Sequence, residues 1–127
     1  MIQVTPHMKI LLAVEPVDFR KGIDGLAMLC RTVLKTNPFS GAVFVFLNKA
    51  RTSIKILMYD GQGYWMCQKR LSQGKFHTWV DNLKVTRKKQ GHHNLKVTRK
   101  TLDAHELQML LWNGSSNIAP MWKKISI

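Results

Sequence analysis

Between Val17 and Phe76, two glycine-containing stretches, Asp18-Phe19-Arg20-Lys21-Gly22-Ile23-Asp24-Gly25 and Asp60-Gly61-Gln62-Gly63, bracket a helical pattern and an aromatic series of strands. From Asp18 to Lys35 the apolar residues Ile23, Leu26, Ala27, Cys30, Val33 and Leu34 recur at helical steps, forming one stripe of an amphipathic helix. Asp18 or Asp24 is available near its N-terminus, and Lys35-Thr36-Asn37-Pro38 stops it. Three β-branched and aromatic runs follow, Ala42 to Leu47, Ser53 to Tyr59 and Tyr64 to Leu71, separated by Asn48 to Thr52 and by Asp60 to Gly63. They read as an antiparallel meander. Asp60-Gly61 supplies the positive φ that a tight hairpin requires.

Working outward, Met8 to Val14 is a short apolar run ended by Glu15-Pro16, either a strand or an apolar lead-in. On the other side, Asn82-Leu83-Lys84-Val85-Thr86-Arg87-Lys88 recurs word for word as Asn94 to Lys100. Each copy alternates apolar and polar residues, so the two could pair as a basic hairpin. The alternative is a solvated, mobile insertion spanning residues 82–100, with seven Lys or Arg and no acid. On that reading Asn82 to His93 is removable with cooperative unfolding retained. Order resumes at Thr101, which can cap a helix carrying Leu102, Leu107, Leu110 and Leu111 and ended by Asn113-Gly114. The expectation is one α+β domain over residues 1–114, with residues 115–127 a loosely ordered tail. Its sheet is small and antiparallel, of three or four strands, packed by one main helix with a second helix at the C-terminus.

The 127 residues carry 20 Lys and Arg against 7 Asp and Glu, a net charge of +13, which points to a polyanionic partner, DNA first. No apolar run approaches a membrane span and no basic leader precedes Ile10 to Val14, so a cytoplasmic protein without a membrane partner is expected. Cys30 and Cys67 lack any metal-like spacing and read as buried thiols. Metal-assisted phosphoryl chemistry needs converging acids. Here Asp18 and Asp24 belong to a helix start, Asp60 to a turn, and Asp103 and Glu106 to a second helix start. The histidines match no nucleophile or ligand pattern. No enzyme activity, metal or cofactor is therefore expected.

Two readings of the cations stand side by side. Arg20-Lys21-Gly22 at a helix start offers free backbone N–H groups and two positive charges to a phosphate, or it is a capped helix with exposed basic residues. Lys49, Arg51 and Lys55 lie around the first turn, Lys69, Arg70 and Lys75 end the third run, and Lys84, Arg87, Lys88, Lys96, Arg99 and Lys100 fill the duplication. Together they could form one basic face for phosphate contacts, or a solvated surface. Phe44, Phe46 and Trp65 read as core residues of alternating strands rather than base-stacking platforms.

Val17 to Leu26, Pro38 to Phe46, Ile54 to Leu57, Tyr59-Asp60-Gly61 and Lys69-Arg70-Leu71 together resemble the TnpB accessory-protein family of IS66-type insertion sequences. The likeness covers residues 5–76, and Leu102 to Gly114 is similar to the family's closing helix. It implies a bacterial mobile-element protein that accompanies a separate transposase, with no well-defined activity of its own. The duplicated segment after Trp79 and the tail after Gly114 depart from the family pattern. Three functions are thus carried forward: DNA-binding accessory protein, adaptor for a transposase, and cryptic metal-dependent nuclease.

Overall fold

The computed structural model describes residues 8–76 and 98–112. The first copy of the repeat, with Lys84, Arg87 and Lys88, lies outside the described residues, as do Lys96 and the tail from Asn113. Among the described residues the chain forms a five-stranded sheet and two helices. The strands are β1 (Ile10–Ala13), β2 (Val43–Leu47), β3 (Ser53–Tyr59), β4 (Tyr64–Arg70) and β5 (Arg99–Leu102), and the helices are α1 (Ile23–Thr32) and α2 (Ala104–Leu111). Neither helix is long and apolar enough to cross a membrane.

The strand order is β4-β3-β2-β1-β5. The fold class is α+β, but the expected sheet of three or four antiparallel strands is corrected in two respects. Met8 to Val14 supplies a strand, and it runs parallel to β2, with Ile10 opposite Val43 and Leu12 opposite Val45. The end of the second repeat copy supplies another, antiparallel to β1, with Ala13 opposite Arg99 and Ile10 opposite Leu102. Arg99 and Lys100 therefore belong to the sheet and not to an insertion. The meander is present as expected, with β2 antiparallel to β3 and β3 to β4.

A parallel pair needs a long crossover, and α1 fills it. Its stripe, Leu26 and Cys30 with Leu34 beyond the helix end, packs on Leu11, Phe44, Phe46 and Leu57. The opposite side of the same strands, Ile10, Leu12, Val43, Val45 and Ile54, packs on Leu102, Leu107 and Leu110 together with Phe76. Cover on both sides explains why β1 and β2 read as unbroken apolar runs rather than alternating ones. Phe44 and Phe46 are core residues. Trp65 is not: it is 45% exposed on the outermost strand, and Cys67 on that strand is exposed as well. Cys30 is the buried thiol, and burial pushes its pKa up to about 12.

The local signals hold to different degrees. Gly61 takes φ 93°, and the Asp60 carboxylate accepts from the N–H groups of Gln62 and Gly63, each at 2.9 Å. These contacts, Gly63 first, hold that carboxyl below its usual range. The first helix begins at Ile23 rather than Asp18, with Gly22 as an N-cap that has no side-chain bond. The second is capped by Asp103 rather than Thr101, because Thr101 and Leu102 are used in β5. Asp103 accepts from the Glu106 N–H at 2.7 Å while Glu106 accepts from the Asp103 N–H at 3.2 Å.

Candidate nucleic-acid interface

The strand registers gather the C-terminal ends of β1, β2 and β4 and the N-terminal ends of β3 and β5 at one end of the sheet. Lys49 and Arg51 stand there in the turn after β2, Lys69 and Arg70 close β4, and Arg99 and Lys100 open β5. Phe76, whose N–H donates to the Arg51 carbonyl at 2.8 Å, brings Lys75 to the same end. The opposite end carries Lys9 with Asp60, Asp103 and Glu106. The sheet is thus polarised along its strands, a separation that strand spacing in the sequence does not reveal.

Within the basic end the cations are not equivalent. Lys49, Arg70 and Lys75 are exposed. Lys69 is exposed too, but its Nζ donates to the Leu111 carbonyl, placing a cation at the C-terminus of α2 where the helix dipole favours it. Arg99 donates through Nη1 to the Leu34 carbonyl at 2.9 Å and to the Thr36 hydroxyl, tying β5 to the segment after α1. Arg51, with φ 62°, is half-buried, and no described residue accepts from its Nη2. Lys55 is buried, its Nζ donating to the Phe19 carbonyl at 3.0 Å and lying 4.8 Å from the Phe19 ring centroid. That side chain fastens β3 to the loop before α1 and does not reach the surface where phosphates would be met.

The Arg20-Lys21-Gly22 stretch resolves into two parts. Arg20 folds back on Asp18, with Nη2 2.8 Å from Oδ2 and the backbone N–H 2.9 Å from Oδ1. The Arg20 side chain, chief among these contacts, holds the Asp18 carboxyl down at about 2, so the acid stays ionised and offsets the arginine. Lys21 points elsewhere. It shares with Lys49 the rim of a cleft of about 260 Å³ that is floored by Leu29, Val33, Leu34 and Phe46 and rimmed also by Glu15 and Asp18. Gly25 permits this arrangement, since a Cβ there would lie 2.7 Å from the Lys21 Cβ. The cleft was not visible in the sequence, because its walls come from β1, β2 and α1 together.

The acids remain dispersed. Asp60 is used in its turn, where the Trp65 indole also donates to it at 2.7 Å, Asp103 and Glu106 cap α2, and Asp24 lies in the first turn of α1. Among the described residues no group of His, Cys, Asp and Glu could hold a metal ion.

A family model described as IS66 Orf2 like protein matches residues 8–116. Two curated proteins of Sinorhizobium fredii (strain NBRC 101917 / NGR234) are similar. Uncharacterized protein y4jC is 37% identical over 60% of this chain and 65% of its own length. Uncharacterized protein y4hO is 36% identical over 55% of this chain and 61% of its own. The chain thus spans just under two thirds of the relatives it matches. No solved structure matches it.

Proposed function

We propose a DNA-contacting role on this premise: the chain belongs to the IS66 Orf2-like family of insertion-sequence accessory proteins. The observation that carries the reading is the sheet end to which the registers bring cations from four separate segments, Asp60, Asp103 and Glu106 lying at the other end while Glu15 and Asp18, the latter paired with Arg20, stay at the basic one. Exposed Lys49, Arg70 and Lys75 contact phosphates, with Lys21 extending the surface across the cleft. Such contacts position a protein on DNA without reading its sequence. The role is non-catalytic: four of the six described acids are engaged in a turn, a cap and an ion pair, and the described acids form no group that could hold a metal ion.

Binding of the purified chain to duplex DNA should fall steeply with salt, with a log-log slope of about −4 for roughly four contacts. Replacing Lys49, Arg70 and Lys75 by Ala should weaken binding to all sequences alike and flatten the slope by about one unit per contact. The adaptor reading is favoured by Met109 and Trp112, 46% and 71% exposed at the end of α2. Absence of DNA binding at low salt, with co-purification of a transposase, replaces the first reading with that one. Metal-dependent cleavage abolished by acid-to-Ala changes would instead establish a nuclease.

A further inference from the structure

The outer edge of β4 is self-complementary, and we propose that two copies of this chain pair there, strand to strand and antiparallel, into one continuous sheet. Among the described residues β4 has a strand on one side only. Its phase is set by two bonds at its ends: Asp60 N–H to the Gly63 carbonyl at 3.0 Å and Leu71 N–H to the Thr52 carbonyl at 2.9 Å. In an antiparallel ladder hydrogen-bonded pairs alternate, so Trp65, Cys67 and Lys69 bond inward to β3. Tyr64, Met66, Gln68 and Arg70 consequently turn their N–H and C=O groups to the open edge. Among the described residues nothing covers this edge, and its Tyr64-to-Cys67 half is apolar while its other half carries Lys69 and Arg70; an uncovered row of backbone groups is a template for another strand.

Cys67 is the midpoint of β4, so a two-fold axis through it pairs the whole strand and leaves no residue over. Tyr64 then meets Arg70 of the second copy and Met66 meets Gln68, both as hydrogen-bonded pairs. Trp65 meets Lys69, and Cys67 meets its own counterpart. Every cation is set against an aromatic residue and no like charges are opposed, the arrangement that stabilises cross-strand pairs. The two Arg70 side chains stand roughly 20 Å apart along the ladder, beyond the Debye length of about 8 Å at physiological salt. Repulsion between these two arginines is therefore largely screened. Because the paired strands run in opposite directions, the basic sheet ends of the two copies face opposite ways. If those ends contact DNA as proposed above, the dimer holds two separate segments; the pairing itself does not depend on DNA.

The test is sedimentation of the purified full chain without DNA, followed by diamide. A concentration-dependent dimer is expected. The two Cys67 thiols, in a non-hydrogen-bonded pair with Cα atoms roughly 4.5 Å apart, give up two protons and two electrons to diamide and form a disulfide that dithiothreitol reverses. Cys67→Ser should keep the dimer and lose the cross-link, while Cys30→Ser keeps both. Cys67→Lys sets like charges face to face on the axis and should weaken the dimer about tenfold or more. Cys67 is exposed, so both Cys67 variants should fold, which circular dichroism checks. A monomer at every concentration, or a dimer indifferent to Cys67→Lys, overturns the proposal. DNA binding by such a monomer would leave the functional reading standing, so the two ideas fail separately.

Discussion

β2 and β4 are separated by a single strand in one sheet, yet every residue of β2 is buried and none of β4 is. The first is clamped between α1 and α2, and its Val-Phe-Val-Phe-Leu sequence sends side chains into both cores. The second is the outermost of the described strands on its side of the sheet. Its inward backbone groups are satisfied by β3, while its side chains, Trp65 and Met66 included, meet solvent. Stability is thus concentrated in the parallel centre, and the surface available for partners lies at the β4 edge and the basic end beside it. An element with little packing to lose can carry exposed apolar and charged groups without unfolding the domain.

The sharpest way to break this contrast is to truncate one residue in each strand. Phe44→Ala should destabilise the protein by about 3–5 kcal/mol, the range for emptying a buried aromatic site. Gln68→Ala should stay within about 0.5 kcal/mol, as for ordinary surface changes. Urea unfolding measured at a concentration where the chain is monomeric checks both, and equal effects would show that β4 is part of the stabilising centre.

An intermediate effect is expected where α2 closes over the centre. Asp103→Ala removes the acceptor of the Glu106 N–H and opens the reciprocal cap, at a cost of about 1 kcal/mol. Thr101→Ala should cost less, because Thr101 lies in β5 and not at the cap. A larger loss from Thr101 in thermal unfolding would reverse the assignment of the helix start.

The smallest effect concerns Asp18 at the basic end. Its carboxyl, ordinarily near 3.8, is held at about 2 by the Arg20 side chain. A lowered folded value means that its contribution to stability is fully present above about 3.8 and is lost as pH falls through about 2. NMR titration of the Asp18 carboxyl should place its midpoint near 2, and Arg20→Ala should return it toward 3.8. An unchanged midpoint in that variant would separate Asp18 from Arg20 and leave Arg20 free to join the basic end.

Sequence reading succeeded where the signal is local. The helical stripe from Ile23 to Leu34, the Asp60-Gly61 turn and the paired runs around it were legible because periodicity and turn chemistry act between residues close in the chain. The core placement of Phe44 and Phe46 was legible too, though half the reason was missing: Val43 and Val45 are covered as well. Trp65 and Cys67 were misplaced for the converse reason. Their strand pattern resembles that of β3, and only its position at the edge of the sheet exposes them.

By itself, then, the sequence determined the α+β composition, the first helix, the β2–β4 meander, the family and the excess of positive charge, each set by short-range pattern or by composition. Tertiary structure alone decided that Ile10–Ala13 pairs parallel with β2 and that Arg99–Leu102 closes the other edge, since such pairings join segments far apart in the chain. The repeat illustrates the division. Arg87-Lys88 and Arg99-Lys100 are the same word, but only the second is followed by Thr101-Leu102, and Leu102 is the residue buried opposite Ile10. Leu102 is removed from water by what the rest of the fold places beside it, which the repeated word does not itself encode.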